Sequence, residues 1–323
     1  GWGLVTCILA ATISSTIYLF FGGFRADIYT DVFEFVLMFV GFAVILPFAY
    51  VNFGGFEFIK QNVPPLHLTW DGGNSIQFVL VWFFIALWTL IDPSFHQRCY
   101  AAKSGAVAQR GIFISILFWF VFDAMTATAG LYSRAALPQL DQPMMAFPLL
   151  AELTLPPVAK GVFYVGMLAT IMSSLNTLAF VSATTIGRDI IWRVRREENE
   201  LNVNLYTQWG LFATAILSIV FAILIPSVIR LWYTIGTVII PGLLIPLVSS
   251  YFDRWKVSAR YAFLAMLFGW ATSFAWLIIG WTKELGSSLH YPLGIEPMYP
   301  GLVVSLLVWG IGKTRSDSAA LES

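Results

Sequence analysis

The chain has 323 residues, 58% of them hydrophobic and only 11% charged, with a mean hydropathy of +0.77. Soluble domains carry about 25% charged residues, so the composition excludes a soluble globular protein and points to a polytopic membrane protein. Lysine plus arginine and aspartate plus glutamate stand at 18 each, and the zero net charge gives no general attraction for nucleic acid.

Nine apolar segments are long enough, or nearly so, to cross about 30 Å of hydrocarbon: 3–22, 32–51, 75–95, 111–133, 158–187, 205–225, 227–250, 259–281 and 297–312. The first begins almost at Gly1, with no basic signal-peptide region before it, which predicts an N-terminally truncated chain. Asp31 opens the second span. Read alone, a carboxylate there is a helix cap favoured by the helix dipole. The third span is rich in tryptophan, Trp88 included. In the fourth, Asp123 lies near mid-membrane, where an unpaired carboxylate is costly. It is expected to face a cavity or partner: a cationic group on a substrate, or a polar residue of a peripheral helix. Residues 134–157 form an outer connection made irregular by Pro138, Pro143, Pro148, Pro156 and Pro157.

The fifth span carries the most informative pattern. Thr170, Ser173, Ser174 and Thr177 fall at i, i+3, i+4 and i+7, on one helical stripe. Hydroxyls in hydrocarbon must meet another helix, a wet cavity or an ion. Neutral oxygens suit a hard alkali cation and are poor ligands for zinc or copper. The stripe therefore predicts a sodium site in a transporter.

After it, the mixed-charge run Arg193–Glu200 is a solvated loop. Pro226 separates the sixth and seventh spans, and Pro241 and Pro246 are expected to bend the seventh. Alternate connections hold thirteen of the lysines and arginines against five in the other set. The positive-inside rule then makes the first set, and the C-terminus, cytoplasmic. Cys7 and Cys99 suggest neither a disulfide framework nor a metal site. His67, His96 and His290 sit singly and form no ligand cluster. No His-Glu-x-x-His, Gly-x-Ser-x-Gly or facing aspartate pair points to an enzyme.

Three motifs in order carry a resemblance over nearly the whole chain. Tyr18-Leu-Phe-Phe-Gly-Gly-Phe-Arg-Ala-Asp-Ile-Tyr-Thr-Asp31 is similar to a Tyr…Gly-Gly…Ala-Val…Thr-Asp turn. His96-Gln-Arg-Cys-Tyr-Ala-Ala-Lys-Ser104 is similar to a Gln-Arg…Ala-Ala-Lys loop. Leu168-Ala-Thr-Ile-Met-Ser-Ser-Leu175, followed by Arg188-Asp-Ile190, is similar to an Ala-Ala-x-Met-Ser-Ser/Thr helix with a trailing Asp. The chain thus resembles the sodium:solute symporter family of sodium/glucose, sodium/proline and sodium/sialic acid carriers.

The resemblance implies an all-α integral membrane protein with an inverted-repeat, LeuT-like transporter core. Core helices four to ten would lie in 1–250, and two peripheral helices with a short tail in 251–323, nine transmembrane helices in all. It implies plasma-membrane symport of a small organic solute driven by sodium, with no other cofactor and no nucleic-acid partner. A main sodium site falls on Ser173, Ser174 and the Thr170 carbonyl; Asp31, Asn176 and Thr177 correspond to a second, inner site. Asn176 replaces the usual Ser or Thr, and Glu34 stands where the family usually has Gln. Trp88 and Tyr233 correspond to substrate contacts. Trp119 takes the place of a Lys that reaches the sugar in the sugar carriers, which argues against that mode of recognition. Asp123 is unexplained by the pattern. Oligomeric state is not legible. The alternative is a symporter-like sensor domain, which the short polar tail Lys313–Ser323 disfavours because no output domain follows.

Overall fold

The computed structural model describes residues 3–196, 199, 201–224, 227–282 and 291–321. Pro226, Lys283, His290 and part of the Arg193–Glu200 run lie outside them. Among the described residues all regular structure is helical. Helix α1 spans Leu4–Phe53 and α2 Phe56–Asn62; α3 is Ile76–Ala86, α4 Trp88–Ile91 and α5 Pro93–Ala101. Then follow α6 (Gly105–Ala136), α7 (Ala146–Thr154) and α8 (Pro157–Thr184), which runs on through a π-helical stretch, Thr185–Trp192, into the short α9 (Arg193–Arg195). The last four are α10 (Leu201–Leu224), α11 (Val228–Ser250), α12 (Ala259–Thr282) and α13 (Met298–Leu321).

Among the described residues seven stretches are long and apolar enough to cross a membrane: Leu19–Phe53, Ile76–Ala101, Gly105–Ala136, Pro157–Arg195, Asn202–Leu224, Leu231–Ser250 and Ala259–Gly280. Of the nine expected spans, the first corresponds to the shorter apolar helix Val5–Ile17 and the ninth to α13.

Two segments differ from expectation. The turn expected around Tyr18–Asp31 is helical. At 1.5 Å per residue the 50-residue α1 would extend about 75 Å if straight, but it is broken at Gly23, whose φ of 54° and ψ of −151° suit glycine and few other residues. Nearby, Gln208 Nε2 donates to the Phe20 carbonyl (3.3 Å). The third span is three pieces rather than one. Asp92 precedes Pro93, which pushes it out of the α region to ψ 119°. Its Oδ1 then accepts from the Ser94 backbone N–H (2.8 Å), capping α5. In the seventh span the helix runs through both Pro241 and Pro246.

The chain packs as two compact units: 1–72 with 97–226, and 73–96 with 227–323. In the first, α1 lies along α8, with α6 and α10 against α1. The α1–α8 crossing is close because it is made by two glycines. A Cβ on Gly166 would sit 2.8 Å from Gly41 Cα and 2.8 Å from the Leu37 carbonyl, the small-residue packing of membrane helices. Phe42, Phe122 and Phe163 join in edge-to-face contacts at 5.2 and 5.3 Å and fill the core beside it. Tyr132 Oη donates to the Gly54 carbonyl (2.7 Å), tying α6 to the end of α1.

In the second unit, α11 packs on α3, α4, α12 and α13 around Val81, Ile85, Ile240, Leu244 and Met298. Most apolar side chains from Ile112 to Val121 on α6 are exposed. Such a surface suits an apolar environment rather than water.

Candidate functional site

The site lies in the first unit, where α8 passes α1. The sequence placed Thr170, Ser173, Ser174 and Thr177 on one stripe, and the structure divides them. Thr170 Oγ1 bonds back to the Gly166 carbonyl (2.9 Å), and Ser174 Oγ to the Thr170 carbonyl (3.4 Å). Such back-bonding is the usual resort of hydroxyls in membrane helices. Ser173 and Thr177, one turn apart, instead reach other elements, α1 and α5. Ser173 Oγ donates to Asp31 Oδ1 at 2.8 Å. Thr177 Oγ1 accepts from Arg98 Nη2 at 2.8 Å.

Arg98, on α5, is the residue that joins the cluster. The same Nη2 donates to Asp27 Oδ2 (3.2 Å) and to Asp31 Oδ2. Asp27 and Asp31 are four residues apart on α1, so their carboxylates share a face and repel. A guanidinium between them turns that repulsion into a charge-assisted network. Removing the guanidinium would leave two neighbouring carboxylates uncompensated, a cost that water moderates on the exposed side of the cluster. Asp27 is 1% exposed, Asp31 20% and Arg98 33%. The cluster is therefore buried at Asp27 and wet at Arg98. An open pocket of about 340 Å³ reaches it, lined by Ile28, Asp31, Val32, Arg98, Ala101 and Ala102.

Asn176 points elsewhere than expected. Fully buried, its Oδ1 accepts from Ser15 Oγ, and its Nδ2 donates to Glu34 Oε1 at 3.4 Å. It links the two halves of α1 on either side of Gly23. Asn176 thus does not join Asp31 and Thr177 in this arrangement: at 100° per residue it is turned well away from Thr177. Glu34 Oε2 and Asp27 Oδ1 are buried with no hydrogen-bond partner among the described residues.

The remaining expected residues lie apart. Trp119 and Asp123 are both exposed on α6, Trp119 at 54%. They lie on turns of α6 whose other side, at Phe118 and Phe122, meets Phe35, Phe39 and Phe42 of α1. The expectation that Asp123 faces a cavity or partner is not met among the described residues. Trp88 and Tyr233 are in the second unit. The Trp88 indole N–H donates to Asp92 Oδ2 (3.1 Å), and its ring meets Trp232 edge-on at 5.5 Å. Tyr233 stacks with Phe78 at 5.8 Å and donates its hydroxyl to Glu296 Oε2 at 2.6 Å. Both rings have local partners.

Sequence reading missed Arg98 as a partner, and Asp27 and Ser15 altogether. The available signal was the i, i+4 acidic pair Asp27–Asp31 in an apolar helix, which demands a cation from elsewhere in the chain.

A protein-family model described as the sodium:solute symporter family matches residues 1–269. The chain is 27% identical to the sodium/pantothenate symporter of Escherichia coli (strain K12), over 97% of this chain and 65% of that protein. It is 24% identical to the sodium/pantothenate symporter of Haemophilus influenzae, over 98% and 66%. It is 23% identical to sodium/proline symporter 2 of Staphylococcus saprophyticus, over 95% and 60%. The chain therefore spans slightly less than two thirds of the length of these curated relatives.

Proposed function

The chain belongs to the sodium:solute symporter family, and from that premise we propose that it works in sodium-coupled symport of a small organic solute, by alternating access, in the plasma membrane. The observation that carries this reading is the convergence of Ser173, Thr177 and Asp31 where α8 meets α1. These are hard oxygen groups suited to an alkali cation. The main sodium ligands in this proposal are Ser173, Ser174 and the Thr170 carbonyl; the inner ones are Asp31 and Thr177, with Asn176 as a more distant oxygen.

The reading extends to architecture. The two halves of α1 would be core helices four and five, α3–α5 the sixth, and α6, α8, α10 and α11 the seventh to tenth of an inverted-repeat core. Helices α12 and α13 would be peripheral, with the C-terminus cytoplasmic, in a nine-helix arrangement. Sodium contributes charge that favours one conformation, and coupling follows because ion and solute prefer the same state.

Pantothenate and proline, the solutes in the relatives' names, are the first candidates. The test is uptake by the natural full-length polypeptide in proteoliposomes, with an inward sodium gradient or with potassium replacing sodium. Accumulation only under the sodium gradient supports the proposal. Equal uptake in potassium, or none across a panel of amino acids, carboxylates, nucleosides and sugars, refutes it.

A further inference from the structure

Arg98 stands where the inner sodium ligands converge. Of the three acceptors that its Nη2 meets among the described residues, two belong to Asp31 and Thr177, the groups assigned above to an inner ion. A guanidinium and a sodium ion drawing on the same two groups would stand within a few ångströms of one another, and their mutual repulsion makes each weaken the other's hold. The third acceptor, Asp27, is a carboxylate at a position where the motif this segment resembles has valine. It is 1% exposed, and its Oδ1 has no hydrogen-bond partner among the described residues. A buried carboxylate with an oxygen to spare, beside a second carboxylate and one guanidinium, leaves acceptor capacity for a further cation.

Replacing Arg98 by one sodium ion would leave the net charge of the cluster unchanged, so exchange leaves no carboxylate uncompensated. The open pocket lined by Asp31 and Arg98 gives the side chain room to withdraw.

We propose that Arg98 is a tethered cation that competes with sodium at the inner site, and that Asp27 holds it there whenever sodium leaves. The proposal rests on the sodium-coupled reading above. Sodium binding then requires Arg98 to give up Asp31 and Thr177. Return of the guanidinium drives the ion out, so Arg98 sets the ion affinity without touching the transported solute.

The test is equilibrium binding of radioactive sodium to the purified natural full-length polypeptide, compared with Arg98→Ala. Removing the competitor is expected to lower the half-saturating sodium concentration by roughly tenfold, the scale of one charge-assisted contact. Millimolar guanidinium should restore the parent isotherm in Arg98→Ala and leave the parent itself unaffected. A merely structural arginine would not yield rescue by the free ion. Arg98→Lys serves should the alanine variant fail to fold: a flexible ammonium bridges fewer acceptors, and its isotherm should fall between the two. Sodium binding and sodium-driven uptake in the parent, with the same isotherm in the Arg98 variants or no effect of guanidinium, would overturn the competition while leaving the symport reading intact. Absence of sodium binding and of sodium-driven uptake in the parent would overturn the symport reading, and the competition with it.

Discussion

Gly166→Ala tests how the α1–α8 crossing supports the site. A methyl at Gly166 would lie 2.8 Å from both Gly41 Cα and the Leu37 carbonyl. Ordinary carbon contacts begin near 3.4 Å, so the helices must part by about 0.6 Å at this point to relieve the overlap. Both neighbours are backbone and neither can rotate away. Overpacking of this kind costs about 1–3 kcal/mol, set against a gain of about 0.5–1 kcal/mol from replacing glycine by alanine in a helix. The net expectation is destabilisation by about 1–2 kcal/mol. The opening has a second consequence two turns along α8. The Ser173–Asp31 hydrogen bond, 2.8 Å now, would stretch towards 3.4 Å, beyond good geometry.

Gly130→Ala on α6, where a Cβ meets nothing within 4 Å, is the control and should be neutral or mildly stabilising. The assay is thermal unfolding of purified protein in detergent, followed by intrinsic tryptophan fluorescence. A midpoint lowered by several degrees for Gly166→Ala, and by a non-additive amount for Gly41→Ala combined with it, is expected because both methyls would fill one gap. Equal midpoints for Gly166→Ala and Gly130→Ala would refute the close-crossing argument.

Ser173→Ala should raise the half-saturating sodium for uptake roughly ten- to a hundredfold, the equivalent of about 1–3 kcal/mol for a lost oxygen partner. Ser174→Ala, whose hydroxyl is already engaged with the Thr170 carbonyl, should have the smaller effect; the reverse order would count against the assigned geometry. Asn176→Leu strands Ser15 and Glu34 and should cost about 2 kcal/mol or more in unfolding, whereas a midpoint within error of the parent would mean the bridge contributes nothing. A cysteine at Asn199 should react with an impermeant maleimide only from the cytoplasmic side, and one at Asp141 only from outside. Labelling of both from one side would invert or break the span assignment.

Hydropathy made the membrane-spanning helices legible, and the ends of α10, α11 and α12 fall within a few residues of expectation. The Gly-Gly motif located the break between two helices, at Gly23, but not its length: the expected connection through 23–31 is a single non-helical residue. The divided third span has a visible cause in Asp92-Pro93, yet a proline need not end a helix, as α11 shows by continuing through Pro241 and Pro246. At the site, periodicity correctly put four hydroxyls on one stripe. It could not tell which would bond back to their own helix, since that depends on what faces them. Arg98 was legible only as a cytoplasmic charge, because its partners lie 67, 71 and 79 residues away. Asn176 was assigned by motif position, and its true partners were set by the packing of both halves of α1.

The π-helical stretch that prolongs α8 changes how its end must be mapped. In residues 185–192 each carbonyl reaches one residue further than in an α-helix, so every step turns through a smaller angle. A helical wheel continued from Ser173 therefore drifts out of phase by the time it reaches Arg195, whose guanidinium lies over the Tyr206 ring at 5.4 Å. Gly187 holds the stretch in place, because a Cβ there would meet the Thr207 backbone N at 2.5 Å. Tightening it to ordinary α-helix at unchanged length would add a small angle at each of its eight steps and swing everything beyond. Ser173 and Thr177, upstream, would keep their phase. The segment is thus a phase joint, at which the basic end of α8 can be re-aimed independently of its polar middle.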